Sequence, residues 1–323
     1  MTAIEYLRSL QNRVRTKAGP IDRIVKPRSQ QMGGYQAIYR ALAKFPVFTL
    51  EQREKFLKQT LITPFLVTLP DEIKKSLEGV YVGLLPTYDP NACAIHVPNN
   101  GPLVVLHTEL LAALSFYNEL QLLAGKLLMD NDLKSAKKLL NQGHRFIVDC
   151  FREDRLKNYP LLPPTLTEEE LYFVQLKTAA NELFVVAHEF AHIYLGHLST
   201  YMSVPIQKNQ VTLHKFTRNQ QMELDADVQA VRWLVNLYKK DMKETTIQLL
   251  SRSVSLAIEV FMLFHIVEVN LSTPTEKTSH PSSVTRLAHI LNKCGTLLSL
   301  EDRRFLAEMI VNASDLESFK VKL

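Results

Sequence analysis

The sequence predicts an α+β protein that is mostly helical and contains one small antiparallel sheet. Apolar residues recur at helical period over most of the 323 residues. Three short apolar runs lie close together between about residues 79 and 107, and two of them flank Asn99-Asn100-Gly101, a strong hairpin signal. Hydrophobic residues make up 46% of the chain and charged residues 22%, the balance of an ordinary globular protein. A chain of this length can bury a sizeable core.

The first part of the chain predicts helices only, over residues 2–18, 30–45 and 50–61. Gly19-Pro20 ends the first helix, and Pro64 and Pro70 are expected to break the chain after the third. We therefore predict a basic helical extension over residues 1–75 and a second unit over residues 76–323. One continuous domain is the alternative.

The chain beyond the predicted sheet is expected to be helical to its end. The predicted helices run over residues 109–129, 133–152, from 168 to about 195, and over 220–238, 245–269, 283–292 and 300–312. Thr167 and Glu170 have the spacing of a capping box, and Gly196 stands where glycine commonly ends a helix. Residues 199–218 are polar and are predicted to form a loop.

The net charge of +5 is concentrated at the N-terminus, where residues 1–44 contain nine basic and two acidic residues. Such an arm can attract nucleic acid or an acidic protein surface, and it also has the composition of a transit peptide. The third interpretation is a solvated helix face. The last interpretation is favoured over nucleic-acid contact, because no aromatic residues are interleaved with the basic ones as single-strand binding requires.

Composition also predicts the cellular setting. No run of about 18 uncharged apolar residues is present, so we expect no membrane span. The first 15 residues lack the apolar core of a secretory signal. The three cysteines, Cys93, Cys150 and Cys294, are widely spaced and odd in number, which favours free thiols in a reducing compartment. A cytoplasmic location is therefore expected.

His188-Glu189-x-x-His192 lies within an apolar pattern of helical period. On a helix the two histidines lie one turn apart on the same face, where both imidazoles can bind one zinc ion. Glu189 would then lie beside the metal and could take a proton from a zinc-bound water. The pattern alone is only suggestive, because a short motif with three fixed letters also arises by chance.

A third ligand is predicted at Glu223, because a catalytic zinc takes three protein ligands and keeps one position open. Asp227 lies one helical turn after Glu223, on the same face, and could accept a hydrogen bond from the non-ligating nitrogen of a zinc histidine. The alternative is that these acids form a solvated helix face near a helix start, where acidic residues are common.

The metzincin pattern is excluded, because Leu195 and Leu198 occupy the positions where it requires glycine and histidine. His197 comes five residues after His192 and would turn away from the pair on a continuing helix. We expect it to be a surface histidine or a partner of a ligand, and not itself a ligand.

The chain contains His188-Glu189-x-x-His192, then Glu223-x-x-Ala226-Asp227, then His280-Pro281 and Arg286. In this order the motifs resemble those of gluzincin metallopeptidases such as the Ste24/HtpX type, and more closely those of the Lit family of bacterial phage-exclusion peptidases. The resemblance covers roughly residues 80–290. It implies a gluzincin-like core in which His280 stabilises the oxyanion and Arg286 is a structural or substrate-side charge. The other implied roles are zinc ligation by His188, His192 and Glu223, base catalysis by Glu189, and support of a ligand by Asp227. Tyr194 is a second candidate for the oxyanion role, although its apolar surroundings favour a core position.

The expected function is zinc-dependent hydrolysis of a peptide bond in a protein. The Lit resemblance further implies a latent enzyme that an activating partner switches on during phage infection, and a host translation factor, elongation factor Tu, as its target. A zinc-containing regulatory or protein-binding module without peptidase activity is the competing interpretation. The presence of Glu189 argues against it, because zinc binding alone does not require that carboxylate.

Overall fold

A computed structural model describes residues 2–18, 50–85, 91–97, 101–150, 166–200, 220–239, 258–271 and 281–314. Within these ranges the protein is mostly helical and has one three-stranded sheet, which confirms the predicted fold class. The first elements are α1 (Ala3–Ala18), α2 (Leu50–Leu57), a π-helical turn (Lys58–Ile62), α3 (Thr63–Thr68), α4 (Asp71–Ser76), β1 (Tyr81–Leu85), β2 (Ala92–Val97) and β3 (Gly101–His107). The others are α5 (Thr108–Met129), α6 (Leu133–Cys150), α7 (Glu168–Tyr194), a 3₁₀ turn (His197–Thr200), α8 (Gln220–Lys239), α9 (Val260–Leu271), α10 (Ser283–Cys294) and α11 (Leu300–Ser314).

The sheet is mixed and not purely antiparallel as the sequence predicted. Its strand order is β1-β3-β2. β2 and β3 are antiparallel, with Ala92 opposite Leu106, as expected for strands on either side of Asn-Asn-Gly. β1, however, pairs in parallel with β3, with Tyr81 opposite Leu103. The turn signal predicts only the pairing of the two strands that it connects, β2 and β3. The pairing of β1 depends on residues that are distant in the chain.

Both faces of the sheet are buried, because β3 alternates between two apolar clusters. Val104 and Leu106 join the main core formed with the helices. Leu103 and Val105 face the other way and pack with Leu7 of α1. Burial on two faces explains why this strand is a continuous apolar run and not an alternating one.

α1 covers the outer face of the sheet. Leu7 is fully buried and lies so close to Gly83 that a methyl group at position 83 would clash with it. Arg8 forms an ion pair with the buried Glu54 of α2 at 2.7 Å. Both α1 and α2 contact β1, so these helices share an interface with the sheet. The boundary between residues 75 and 76 stays a prediction.

Pro64 does not break the helix as predicted. Instead, the chain continues through the π-helical turn and then through α3 to Thr68, and Pro64 lies in the first turn of α3. A proline at this position is tolerated, because the first N–H groups of a helical segment need no partner within it. The predicted helix over 30–45, and most of the predicted loop over 199–218, lie outside the described residues.

α7 is the central helix, and its start and end follow local signals. The Thr167 side chain accepts from Glu170 N, and the Glu170 carboxylate accepts from Thr167 N at 2.7 Å, so the capping box is confirmed. Gly196 has a φ of 72°, the left-handed conformation that commonly follows a helix end. α7 contacts α5, α8 and the sheet. None of the described helices combines the length and apolarity that crossing a membrane requires.

Candidate metal centre

The second half of α7 and the start of α8 bring the predicted site residues into the protein interior. Glu223 and Asp227 are completely buried, as is His192, and His188 is 7% exposed. The apolar residues around the two histidines on α7, including Ala187 and Ala191, belong to the main core. Four polar side chains in such an environment need one another or a ligand.

His188, His192 and Glu223 converge on one point. The two Nε2 atoms are 3.0 Å apart. Each carboxylate oxygen of Glu223 faces one of them, with Oε2 3.4 Å from His188 Nε2 and Oε1 3.4 Å from His192 Nε2. Two ligands of a tetrahedral zinc, each about 2.0–2.1 Å from the metal, are about 3.3 Å apart. The three side chains therefore fit a metal ion in both spacing and donor chemistry, and the group could hold one.

Asp227 contacts the other nitrogen of His188. Its Oδ1 lies 2.8 Å from His188 Nδ1. This is a hydrogen-bond distance, although the direction of the ring N–H is not ideal. The carboxylate also accepts two hydrogen bonds from Arg286, from Nε at 2.7 Å and from Nη2 at 2.6 Å. Asp227 therefore connects a candidate ligand on α7 to a cation on α10.

Arg286 occupies an internal position beside the centre. Its guanidinium carbon lies 4.6 Å from the centre of the Phe261 ring, and its Nη2 lies 3.9 Å from Glu223 Oε2. Burial opposes its charge, but Asp227 and Glu223 outweigh that effect and raise the pKa of Arg286. The guanidinium thus partly balances two buried carboxylates, which are costly to bury without a counter-charge.

The same two carboxylates, Asp227 and Glu223, also raise the pKa of His188. Burial would lower the pKa of its imidazole, but Asp227 and Glu223 raise it from 6.5 to about 9. Burial likewise opposes ionisation of Asp227, yet Arg286 and His188 lower the pKa of its carboxyl. The site therefore favours positive charge at the point where the two Nε2 atoms meet. A proton and a metal ion would compete for His188.

His197 does not turn away from the pair, in contrast to the sequence expectation. α7 ends at Tyr194, and the chain reverses at Gly196. His197 is therefore directed back into the protein, where it is 8% exposed and its Nδ1 lies 2.8 Å from His192 Nδ1. Gly196 was the signal for this reversal, and the expectation that His197 turns away assumed a continuing helix. Of the two predicted alternatives, a surface histidine or a partner of a ligand, the contact with His192 agrees with the second.

The remaining predicted residues are placed as follows. Glu189 is 3% exposed, next to His188 on α7. Tyr194 is 39% exposed, with its ring 5.7 Å from that of Trp233, so it is at the surface and not in the core. His280 lies outside the described residues, and its predicted role stays a prediction.

The family model for Peptidase U49 matches residues 119–309, well over half of the chain. The chain belongs to the Peptidase U49 family. This is the family of the Lit-type peptidases, so that part of the sequence resemblance is confirmed. Membership supports a peptidase, a hydrolase that acts on a protein substrate, and the match includes every residue of the candidate metal group. No curated protein sequence and no solved structure matches the chain.

Proposed function

We propose that this U49 peptidase is a zinc-dependent endopeptidase of gluzincin type. His188, His192 and Glu223 would bind the zinc, and Glu189 would be the general base. The observation that carries the proposal is the convergence of two imidazole nitrogens and one carboxylate at 3.0–3.4 Å in the interior. Two imidazole nitrogens and one carboxylate oxygen are a combination of donors that suits zinc, and three protein ligands leave a position for water or substrate.

Zinc held by His188, His192 and Glu223 would supply Lewis-acid activation of water and of the scissile carbonyl. The chain's own residues then do the proton chemistry. Glu189 adjoins His188, and its carboxylate accepts a proton from the attacking water and returns it to the leaving amine. Asp227 holds the ring of His188, and Arg286 holds Asp227 through two hydrogen bonds. We assign stabilisation of the oxyanion to His280 on the basis of the sequence resemblance.

We infer the substrate and its regulation from the Lit resemblance. The proposed substrate is a host translation factor, cleaved in the cytoplasm after phage infection, when an activating partner switches on a latent enzyme. Family membership supports the peptidase activity, and the intact Glu189 supports its use.

The deciding experiment replaces Glu189 with Gln, which keeps the size of the side chain but cannot accept the proton. Bound zinc should remain near one equivalent, while catalysis falls by about two to four orders of magnitude. Because the enzyme is proposed to be latent, bacteria that produce each variant are challenged with phage, and host proteins are followed for a new fragment. Glu169→Gln, on the exposed start of α7, is the matched control.

A fragment and growth arrest that appear with wild type and Glu169→Gln, but not with Glu189→Gln, would support the peptidase. The same phenotype in all three strains would favour the alternative, a zinc-containing regulatory or protein-binding module. Purified wild-type protein without zinc would contradict the metal assignment in either case.

A further inference from the structure

The two candidate zinc histidines have different partners on their second ring nitrogens. His188 Nδ1 lies 2.8 Å from the Asp227 carboxylate, whereas His192 Nδ1 lies 2.8 Å from another imidazole nitrogen, His197 Nδ1. Carboxylates and carbonyl oxygens are the usual partners of metal-bound histidines. An imidazole in that position is a different arrangement, and the His-Glu-x-x-His motif itself does not specify it.

We propose that His197 is the positioning residue of His192. This inference rests on the proposed zinc site. A neutral imidazole that binds zinc through Nε2 carries its proton on Nδ1. His192 therefore donates, and His197 Nδ1 accepts. His197 must then carry its own proton on Nε2, since two N–H groups cannot face each other at 2.8 Å.

The fold supplies a reason for this contact. α7 ends two residues after His192, and Gly196 adopts a φ of 72°, which L side chains rarely adopt. That reversal brings His197 against the ring of the completely buried His192. The hydrogen bond fixes the tautomer of His192 and the orientation of its ring, so that the Nε2 lone pair is directed at the metal position before the metal arrives.

Three substitutions separate this role from simple packing. In asparagine, Oδ1 stands at the same distance from the backbone as Nδ1 of histidine, so His197→Asn preserves the acceptor. In glutamine, the polar atoms extend to the position of Nε2, so His197→Gln removes the acceptor but keeps a polar side chain. His197→Phe keeps the ring and removes both nitrogens. His96→Asn, on the exposed side of β2, is the control.

Zinc affinity is measured for each purified full-length chain by competition with a chromophoric chelator. The proposal expects His197→Gln and His197→Phe to weaken zinc binding by roughly 10–100-fold, and His197→Asn to remain within about threefold of wild type. Equal affinities for all variants would overturn it, as would equal weakening by Asn and Gln. Failure of wild type to bind zinc would instead overturn the proposed metal function.

A second measurement needs no variant and so does not depend on how the variants fold. Nitrogen-15 NMR of histidine-labelled, zinc-loaded wild-type protein reports which ring nitrogen carries each proton. The expected result is a proton on Nδ1 of His192 and on Nε2 of His197. A proton on His197 Nδ1 in the zinc-loaded protein would contradict the proposal.

Discussion

Two carboxylates buried in different parts of the molecule, Glu54 and Glu223, show how a structural acid differs from a candidate metal ligand. Glu54 is 4% exposed and is surrounded by hydrogen-bond donors. Arg8 donates from two nitrogens, at 3.2 and 2.7 Å, and Gln11 Nε2 donates at 3.0 Å. The Leu84 N–H at 3.0 Å and the Tyr81 hydroxyl at 3.2 Å complete the set. A carboxylate offers about four lone-pair sites, so Glu54 is saturated.

Glu223 is fully buried, but its surroundings are different. Its oxygens face two imidazole nitrogens at 3.4 Å and an arginine nitrogen at 3.9 Å. These distances exceed the range of about 2.7–3.2 Å for strong N–H···O hydrogen bonds. The donors around Glu54 are directed at the carboxylate itself, whereas Glu223 and its neighbours are directed at a common point. Convergence of this kind, and not burial, identifies the candidate site.

Glu223→Gln should have the largest effect of the changes that test this comparison. An amide is a poor zinc ligand, so zinc affinity should fall by at least about 1,000-fold, beyond the roughly 10–100-fold cost of losing an outer partner. Elemental analysis and chelator competition measure it. Asp225→Asn, on the exposed face of the same helix, should retain zinc. Full retention of zinc by Glu223→Gln would remove Glu223 as a ligand.

Glu54→Gln should reverse the pattern, with a loss of stability but not of metal. The amide nitrogen would face groups that are all donors, and Arg8 would lose its counter-charge. The free energy of unfolding should fall by about 3 kcal/mol, toward the low end for a broken buried pair because Arg8 is partly exposed. Urea denaturation measures it, with the exposed Glu51→Gln as control. A tenfold loss of zinc affinity in the folded variant would contradict the distinction between the two acids.

The sequence predicted features that depend on residues close together in the chain. The capping box at Thr167 and the Asn-Asn-Gly turn are local signals, and the capping box and the antiparallel pairing of β2 with β3 are both present. The convergence of α7 and α8 could also be expected, because the i, i+4 spacing of His188 and His192 and the choice of Glu223 follow from helix geometry and zinc chemistry.

Non-local features could not be predicted in this way. β1 pairs in parallel with β3 and not with β2, which follows it in the chain, and no turn signal specifies that pairing. The donors around Glu54 come from residues 8, 11, 81 and 84, which only the folded chain brings together. Arg286 and Asp227 are 59 residues apart, so the two hydrogen bonds between them could not be predicted from the sequence either.

Asp227→Asn is expected to have an intermediate effect and tests how far the charge around the centre matters. The amide keeps the shape of Asp227, but it removes the negative charge, and its NH2 group would face Nε or Nη2 of Arg286, which are both donors. At least one of the two hydrogen bonds from Arg286 is therefore lost. Zinc affinity should fall by roughly 10–100-fold. Chelator competition compares it with Asp225→Asn. Unchanged affinity would show that the Asp227 contact does not support His188.

The histidines allow the same comparison as the acids. His188 and His144 are both buried, at 7% exposure each. The carboxylates of Asp227 and Glu223 outweigh burial at His188 and raise its pKa to about 9. At His144 burial dominates and lowers the pKa to about 4. Burial alone thus favours the neutral form of His144, whereas the carboxylates around His188 favour its charged form.

His144 should consequently make the fold sensitive to acid, the smallest effect expected here. The folded protein keeps this imidazole neutral down to about pH 4, whereas the unfolded chain takes up the proton near pH 6.5. The contribution to stability is therefore full above pH 6.5 and declines as the pH falls toward 4. Between pH 8 and 5.5 the loss should be about 1 kcal/mol. In His144→Gln the free energy of unfolding should fall by that much less over the same range, as urea denaturation at each pH would show. The exposed His96→Gln should behave as wild type. If His144→Gln and wild type lose stability in parallel, His144 is not held neutral by burial, and the contrast with His188 fails.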